Sequence, residues 1–590
     1  MSCRKTLLRG GGGLLAILVT ITGGCSPPRP AEPPKPRLTR LLPDLGPAEF
    51  LQLDEDTRPA ALLHPGEVRR CKVNAPAGSR LHFSFGIPRD ARSDGWLLLK
   101  VRADGKELYR RKVSALRRDH WWHGVAAVPG SGLVTLEFEG APVKRDGSAV
   151  ERKPEAAEPW LALGSPRLYS AGPRKARRLL VWISQDTVRA DHLSAHGYHR
   201  RTSPILERLA AGSVLFENGI ASASWTLPSL TSQMTSRLPT RHGATLQNVG
   251  RDTSKPTLFE VLAQQGFTVL GVTGNHFVSA AFSLAQGFDA LRYTALRADD
   301  VNRLTRASLE EWDGGDLALF VHYMDPHFGY NPPAPFHRMF TDPQYRGKQQ
   351  GYDFGHLTRE SDPADVEQVK ALYDGEVAYT DRQIGLVLDA IEKQAPGDEA
   401  VVVYSADHGD EFLDHGHWGH GRQLYEELVH VPFAVRAPGC RPRRVKEVVS
   451  LLDLAPTVLE AFGIAPPASF EGRSLAAALK GAAVAEQPVR SETELTRDGT
   501  HRLAIRDGRL KYLLAVPRRG EAVRVIQEEL YDLRDDPAEQ RNLAPSPRAE
   551  PLRRAALAYL ESARHEASTP NPAHLDSEAR EKLKALGYVE

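Results

Sequence analysis

Leu179-Leu180-Val181-Trp182-Ile183-Ser184-Gln185-Asp186-Thr187 is a short apolar run that stops abruptly at an acid. Such a run predicts a strand buried on both faces, the kind that lies inside a parallel sheet covered by helices. A second run, Val401-Val402-Val403-Tyr404-Ser405-Ala406-Asp407-His408-Gly409, ends the same way. Ligands of open parallel sheets gather beyond the carboxyl ends of the strands. The two runs are therefore expected to deliver Asp186, Asp407 and His408 to one edge of a sheet.

Between them lies Ala223-Ser224-Trp225-Thr226-Leu227-Pro228-Ser229. Pro228 can open a helix at its first position without losing a hydrogen bond, and the free N–H groups of that turn face an anion. An isolated Thr-x-Pro-Ser more often caps a helix than reacts. Beside two carboxylates and an imidazole, however, Thr226 completes a plausible divalent-metal site with Asp186, Asp407 and His408. His322 and His327 follow the strand-like run Leu317-Ala318-Leu319-Phe320-Val321 and should reach the same edge as substrate contacts. His276 follows the run from Phe267 to Val272, where a substrate contact and a locally hydrogen-bonded histidine both fit.

These residues resemble the sulfatase family of the alkaline phosphatase superfamily. The resemblance runs from about Arg178 to about Ala544, in family order. It takes in Asp186-Thr187-Val188-Arg189-Ala190-Asp191, the Thr226 segment with Thr235-Ser236-Arg237-Leu238-Pro239, and His322-Tyr323-Met324-Asp325-Pro326-His327. It continues through Ser405 to Phe412, Asp453-Leu454-Ala455-Pro456-Thr457 and Glu529-Leu530-Tyr531-Asp532-Leu533. It implies a doubly wound α/β hydrolase domain, with a small α+β subdomain after about Gly472.

The departures carry chemistry. Sulfatases of the usual kind place Cys or Ser at Thr226, for oxidation to a formylglycine aldehyde, and Arg at Leu230. Threonine would give a ketone, so the resemblance implies an unmodified hydroxyl, as in the phosphodiesterases and the phosphoethanolamine and phosphoglycerol transferases of the superfamily. Thr187 stands where a second Asp is usual, and His408 where Asn is common. One divalent cation is expected, with zinc or manganese favoured over calcium by the imidazole. His420, twelve residues beyond His408, stands where Lys is frequent. By resemblance His420 and His327 hold substrate oxygens or assist the leaving group, whereas His415 and His417 read as solvated loop residues. Hydrolysis and transfer to an acceptor alcohol differ only in the second step, and both fit. A sulfatase that works without formylglycine and a non-catalytic anchored binding protein are the alternatives; the second would be expected to have lost ligands.

The remainder of the chain sets the compartment and the domains. Arg4, Lys5 and Arg9 precede the apolar stretch from Leu14 to Val19, followed by Gly23-Gly24-Cys25. That reads as a signal peptide, residues 1–25, with a lipobox-like Cys25 that would anchor an exported bacterial lipoprotein to the cell-envelope membrane. Thr22 departs from the usual Leu of that box, and ordinary secretion is the alternative. Residues 26–47 form a Pro-rich linker. Alternating runs separated by Pro, Gly and Asp-Gly turns predict a β-sandwich over 48–172, with Trp121, Trp122 and Trp160 as core or as a sugar-stacking platform. The catalytic domain is assigned to 176–475, the C-terminal subdomain to 476–548 and a charged helical tail to 549–590. Four cysteines in 590 residues make no disulfide framework, and Cys71 and Cys440 are expected free. A net charge of +2 gives no reason to invoke nucleic acid. A small-molecule, glycan or lipid ester is the expected substrate, and the oligomeric state is open.

Overall fold

The structure, a computed structural model, describes residues 38–584 apart from residues 65, 89–94, 150–160, 171–176, 247–248, 296, 313, 350, 352–353, 396–398, 497, 519–522, 566–568, 574, 576–579 and 582. The signal peptide, Cys25, most of the Pro-rich linker and Trp160 lie outside the described residues.

The strand Arg178–Gln185 is buried along nearly its whole length, because apolar side chains on both faces leave no solvated side. It runs parallel to Leu317–Tyr323 on one side and Glu399–Ala406 on the other. Thr268–Thr273 and Ala290–Tyr293 extend the parallel part. The sheet is mixed, since His430–Arg436 enters antiparallel to Glu399–Ala406 and to Val214–Ile220. Helices cover both faces, the longest being Pro363–Gln394. At its start Pro363 stands in the first turn, and Asp362 Oδ1 accepts the Ala364 N–H at 2.9 Å.

The N-terminal region is a two-layer β structure. Val68–Ala75, Gly132–Val143, Trp96–Ala103 and Lys106–Ser114 form one layer. Asp56–Leu63, Leu161–Tyr169, Arg80–Gly86 and Trp121–Ala127 form the other. Between them Phe83, Phe85, Trp122, Leu136 and Phe138 make a core of their own. Trp121 and Trp122 are 3% and 6% exposed, so neither offers a stacking surface. Trp121 Nε1 donates inward to the Asp56 carbonyl at 3.0 Å, and the Trp122 ring stacks on Phe85. The sugar-platform reading is thereby corrected for these two, because their area is spent on the core.

This layer is also hydrogen-bonded to the sheet that carries Arg178–Gln185. Leu291 and Arg292 pair antiparallel with Thr57 and Asp56, making one continuous sheet. Buried charges reinforce the seam: Arg58 meets Asp56 at 2.6 Å and Glu311 at 2.7 Å, and Arg292 meets Asp56 at 3.1 Å. Toward the other end of the chain, Val489–Thr493, Thr500–Asp507, Leu510–Pro517 and Gln527–Asp532 form a four-stranded antiparallel sheet. The helix Glu550–His565, read from the sequence as part of a separate tail, packs Leu552, Ala556, Tyr559 and Leu560 onto it. Cys71 and Cys440 are free thiols.

One helix start is capped from a distance. Ser203 precedes Pro204–Ala211, but its side chain makes no capping bond. Asp381, from the middle of the long helix, accepts the N–H groups of Ile205 at 2.8 Å and Leu206 at 2.9 Å instead. A remote carboxylate thus ties two helices together while satisfying end groups that have no partner within their own helix. Asp381→Ala is expected to lower stability by about 2–3 kcal/mol, since it leaves buried donors unmet. The shift of the urea midpoint at constant m-value measures this.

Candidate active site

Strand register brings the site together. Gln185 lies beside both Tyr323 and Ala406, so the residues that follow Gln185 and Ala406, Asp186 and Asp407, emerge at one level. The ladder continues one step: the Asp186 N–H donates to the Tyr323 carbonyl at 2.9 Å, and the Asp407 N–H to the Gln185 carbonyl at 3.2 Å. Adjacent strands lie roughly 4.8 Å apart, which sets how close the two carboxylates come.

The third contributor is the helix Thr226–Thr235, every residue of which is buried. Its polar side chains fasten it to the sheet: Ser229 Oγ donates to the Asp407 carbonyl at 2.6 Å and Gln233 Nε2 to the Ala406 carbonyl at 3.2 Å. Pro228 is the third helical residue rather than the first. It still falls in the first turn, where a missing N–H costs no helical bond. Thr226 is the first helical residue, and its hydroxyl sits over the strand ends.

Oγ1 of Thr226 donates to Asp186 Oδ2 at 3.4 Å and lies 3.3 Å from His408 Nε2. His408 Nε2 is 3.5 Å from Asp186 Oδ1 and 3.5 Å from Asp407 Oδ2. Its other nitrogen, Nδ1, is 2.9 Å from the Gly409 carbonyl, which fixes the proton there and turns the Nε2 lone pair inward. Ligand atoms of Asp186, Asp407 and His408 all lie within 4.8 Å of one another. Asp186 Oδ1 and Asp407 Oδ2 are buried without a hydrogen-bond partner among the described residues.

The electrostatics are those of a site that wants a cation. Burial, and then the Asp407 charge, push Asp186 well above the ordinary carboxylate range. Burial works against Asp407 too, but His408 and His322 outweigh it and hold that carboxyl down. Burial lowers His408 to about 4, so its imidazole is neutral at pH 7. Two carboxylates, a neutral imidazole with its lone pair inward, and a hydroxyl form a mixed oxygen and nitrogen donor set that fits a divalent ion.

The surrounding residues divide into two groups. His322, expected to touch substrate, is fully buried on the carboxylate side, with Nε2 3.8 Å from Asp407 and 4.0 Å from Asp186. Among the described residues neither of its ring nitrogens has a hydrogen-bond partner. His327 and His420 lie together, ring centroids 5.0 Å apart, and His420 is 4.4 Å from the His408 ring. Burial brings His327 to about 3 and His420 to about 4. Both rings are thus neutral at pH 7, suited to accepting or donating a hydrogen bond rather than to giving up a stored proton. His276 packs edge-on against Phe282 and Tyr293, at 6.5 and 5.4 Å. His415 is held at 2.7 Å by Glu427 and stacks on Tyr425, so it is a structural residue rather than a solvated one. His417 is exposed.

Three participants escaped the sequence reading. Asn275 Nδ2 donates to Asp186 Oδ2 at 2.8 Å and to Thr226 Oγ1 at 3.3 Å. It too follows a buried strand, Thr268–Thr273, so the strand-end logic pointed to this turn, but attention went to its neighbour His276. Asp410 receives the Tyr330 hydroxyl and, at 3.0 Å, His420 Nδ1, and thereby orients the His420 ring. Thr187 adopts φ 56°, a left-handed conformation costly for a β-branched residue. In that conformation its N–H donates to Asp407 Oδ1 at 3.2 Å.

The sulfatase family profile matches residues 178–464, and that of the C-terminal region of N-sulphoglucosamine sulphohydrolase matches residues 414–566. The chain belongs to the sulfatase family. It is 30% identical to arylsulfatase K of Mus musculus over 189 residues, 30% of this chain and 33% of that protein. It is 35% identical to a Delta 4,5-hexuronate-2-O-sulfatase of Bacteroides thetaiotaomicron over 180 residues, 28% of this chain and 35% of that protein. The matched stretches thus span about a third of these curated relatives. A phosphonate monoester hydrolase from Silicibacter pomeroyi shares the fold, with a TM-score of 0.53 over 68% of this chain and 100% of that one at 19% identity. The second profile reaches Glu550–His565, in keeping with the packing of that helix on the C-terminal sheet of this sulfatase-family chain.

The repulsion between the carboxylates has a measurable consequence. In metal-stripped protein Asp186→Asn is expected to raise stability by about 1–2 kcal/mol, because it removes one buried charge from the pair. The same variant should lose the rise in Tm that zinc or manganese gives the parent. Calorimetry with and without metal reads both effects.

Proposed function

We propose that this chain is an exported, metal-dependent hydrolase of phosphate or sulfate esters, with Thr226 as its covalent nucleophile. The observation that carries this reading is the Thr226 hydroxyl at 3.3–3.4 Å from His408 and Asp186, on the first residue of a buried helix. Asp186, Asp407, His408 and Thr226 would hold one divalent cation, with zinc or manganese favoured by the imidazole. When bound, the ion supplies Lewis acidity and a lowered hydroxyl pKa.

The chain's own groups supply the rest. Asn275 fixes Asp186 and Thr226 relative to each other through one amide. As a bond forms from Oγ1 to phosphorus or sulfur, the leaving oxygen departs with the bonding pair and takes a proton from solvent. The hydroxyl proton moves toward the Asp186 oxygen it already faces. The open first turn of the helix favours the negative charge gathered there. Water, or an acceptor alcohol, then attacks the threonine ester and restores the hydroxyl. Neutral His327 and His420, the latter oriented by Asp410, are placed to hold the ester's oxygens.

Beyond His420 opens a cavity of about 160 Å3, lined in part by His417, Trp418, Arg422, Asp498 and Arg502. One aromatic and several charged groups suit a polar, anionic leaving group such as a sugar acid. The relatives named for sulfate esters, the hexuronate enzyme above all, favour a second reading, a sulfatase that works without formylglycine. Unmodified threonine favours phosphoesters, because its ester must be released by attack at phosphorus or sulfur rather than by elimination from an aldehyde hydrate. The leader sequence and Cys25 support export with a lipid anchor at the cell-envelope membrane.

The soluble chain from Pro43 onward, stripped of metal, should turn over p-nitrophenyl phosphate or bis-p-nitrophenyl phosphate when zinc or manganese is restored. Thr226→Ala should lower kcat by roughly 10³-fold or more, as removal of a nucleophile does. Turnover of p-nitrophenyl sulfate alone, with calcium preferred, would install the second reading. Arg502→Ala is expected to raise KM for anionic saccharide esters with little effect on p-nitrophenyl substrates, which steady-state kinetics on both classes will show.

A further inference from the structure

His420, the ring placed to hold ester oxygens, stands on a backbone with little stiffness of its own. Glycines flank it, Gly419 at φ 84° and Gly421 at φ 95°, and glycine loses more conformational freedom than any other residue when it is held in one conformation. Asp410 restrains the ring through Nδ1 at 3.0 Å, but a bond to the side chain does not fix where the backbone stands. Upstream the backbone is tied, because Trp418–Gly419 pairs antiparallel with Glu411–Phe412. Downstream the tie comes from a distant part of the sequence.

That part is Val489–Thr493, the edge strand of the C-terminal sheet. Ser491 Oγ donates to the Ala221 carbonyl at 2.6 Å, and the Glu492 N–H donates to the Ser222 carbonyl at 2.8 Å. Both carbonyls belong to the segment that leads into Thr226. Thr493 Oγ1 then donates to the Gly421 carbonyl at 2.5 Å and accepts the Leu495 N–H at 3.2 Å. Thr493 is 2% exposed, so the bond is shielded from water. Packing closes the same joint: a Cβ at Gly421 would meet Leu495 Cδ2 at 2.8 Å and Trp225 Cβ at 3.6 Å. Gly421 is therefore wedged between Leu495 and the residue just before Thr226. One strand grips both segments that bring reacting groups to the site.

We propose that Thr493 is a positioning residue for the ester chemistry: its hydroxyl fixes the Gly421 carbonyl, and through it the reach of His420 toward the oxygens of the bound ester. The inference rests on the reading that His420 holds those oxygens. A β-branched side chain suits this task, since its χ1 is stiff, and here its hydroxyl is satisfied both as donor and as acceptor. The C-terminal sheet thereby shapes the reaction without touching substrate.

A double-mutant cycle on the metal-loaded enzyme tests the proposal, with p-nitrophenyl phosphate or sulfate, whichever the parent turns over faster. Thr493→Val keeps the volume and removes the donor; it should lower kcat/KM about tenfold, and His420→Ala roughly 10²-fold. Placed in the His420→Ala background, Thr493→Val should cost less than about twofold, as expected of a residue that acts through that ring. Thr493→Ser should restore most of the loss. Leu495→Ala, which loosens the other side of Gly421, should show the same dependence on His420 and carries the test should Thr493→Val not fold. A cost of either variant that persists in full without the His420 ring, or no cost at all, would overturn the proposal while leaving the role of His420 intact. His420→Ala as active as the parent would overturn that role and the inference built on it.

Discussion

Two carboxylates held side by side without water, Asp186 and Asp407, are the constraint around which the catalytic region is arranged. Parallel strands in fixed register place them there, and neither can retreat, because each is rooted in a strand buried on both faces. Like charges at this spacing in a dry site oppose folding unless a proton or a cation intervenes. The neighbours lean toward the cation. His408 presents a lone pair, Asn275 bonds the Asp186 oxygen not turned to His408, and the backbone N–H groups of Thr187 and His408 bond Asp407. What is left unmet, Asp186 Oδ1 and Asp407 Oδ2, is the part that a metal would use.

The helix carrying Thr226 extends the same logic. A ten-residue helix buried along its whole length would ordinarily be apolar, yet this one carries several Ser, Thr and Gln residues. Ser229 and Gln233 bond the Asp407 and Ala406 carbonyls, Thr231 and Thr235 bond carbonyls of their own helix, and Ser232 meets His242; the first two pin the helix beside Asp407 and so help to set the position of its first residue. The left-handed Thr187 stands at the same junction, and its N–H bonds Asp407. The Thr226 hydroxyl, the acids and the imidazole are therefore positioned by one connected set of backbone bonds.

The architecture was largely legible in the sequence because long apolar runs ending in acids have few interpretations. Arg178–Gln185 and Glu399–Ala406 were read directly. Residues whose roles come from distant partners were not. Asp381 caps a helix more than 170 residues earlier in the chain, and no local signal at Ser203 announces that the cap is supplied from elsewhere. Asn275 lost attention to His276 because histidine carries more chemistry by type, whereas the turn after the strand aims the amide at Thr226. For the tryptophans of the β layers the sequence offered core or a sugar-stacking platform, and the paired sheets put Trp121 and Trp122 in the core. Continuity of those layers with the catalytic sheet, through Leu291 and Arg292, depends on a short edge strand whose pairing the sequence does not announce.

Crystals of the stripped protein soaked in manganese and measured at the manganese edge test the central claim most directly. The account predicts one anomalous peak within coordinating distance of Asp186, Asp407 and His408, with unmodified Thr226 turned toward it. A peak elsewhere, or none at these side chains with the protein folded, would contradict it.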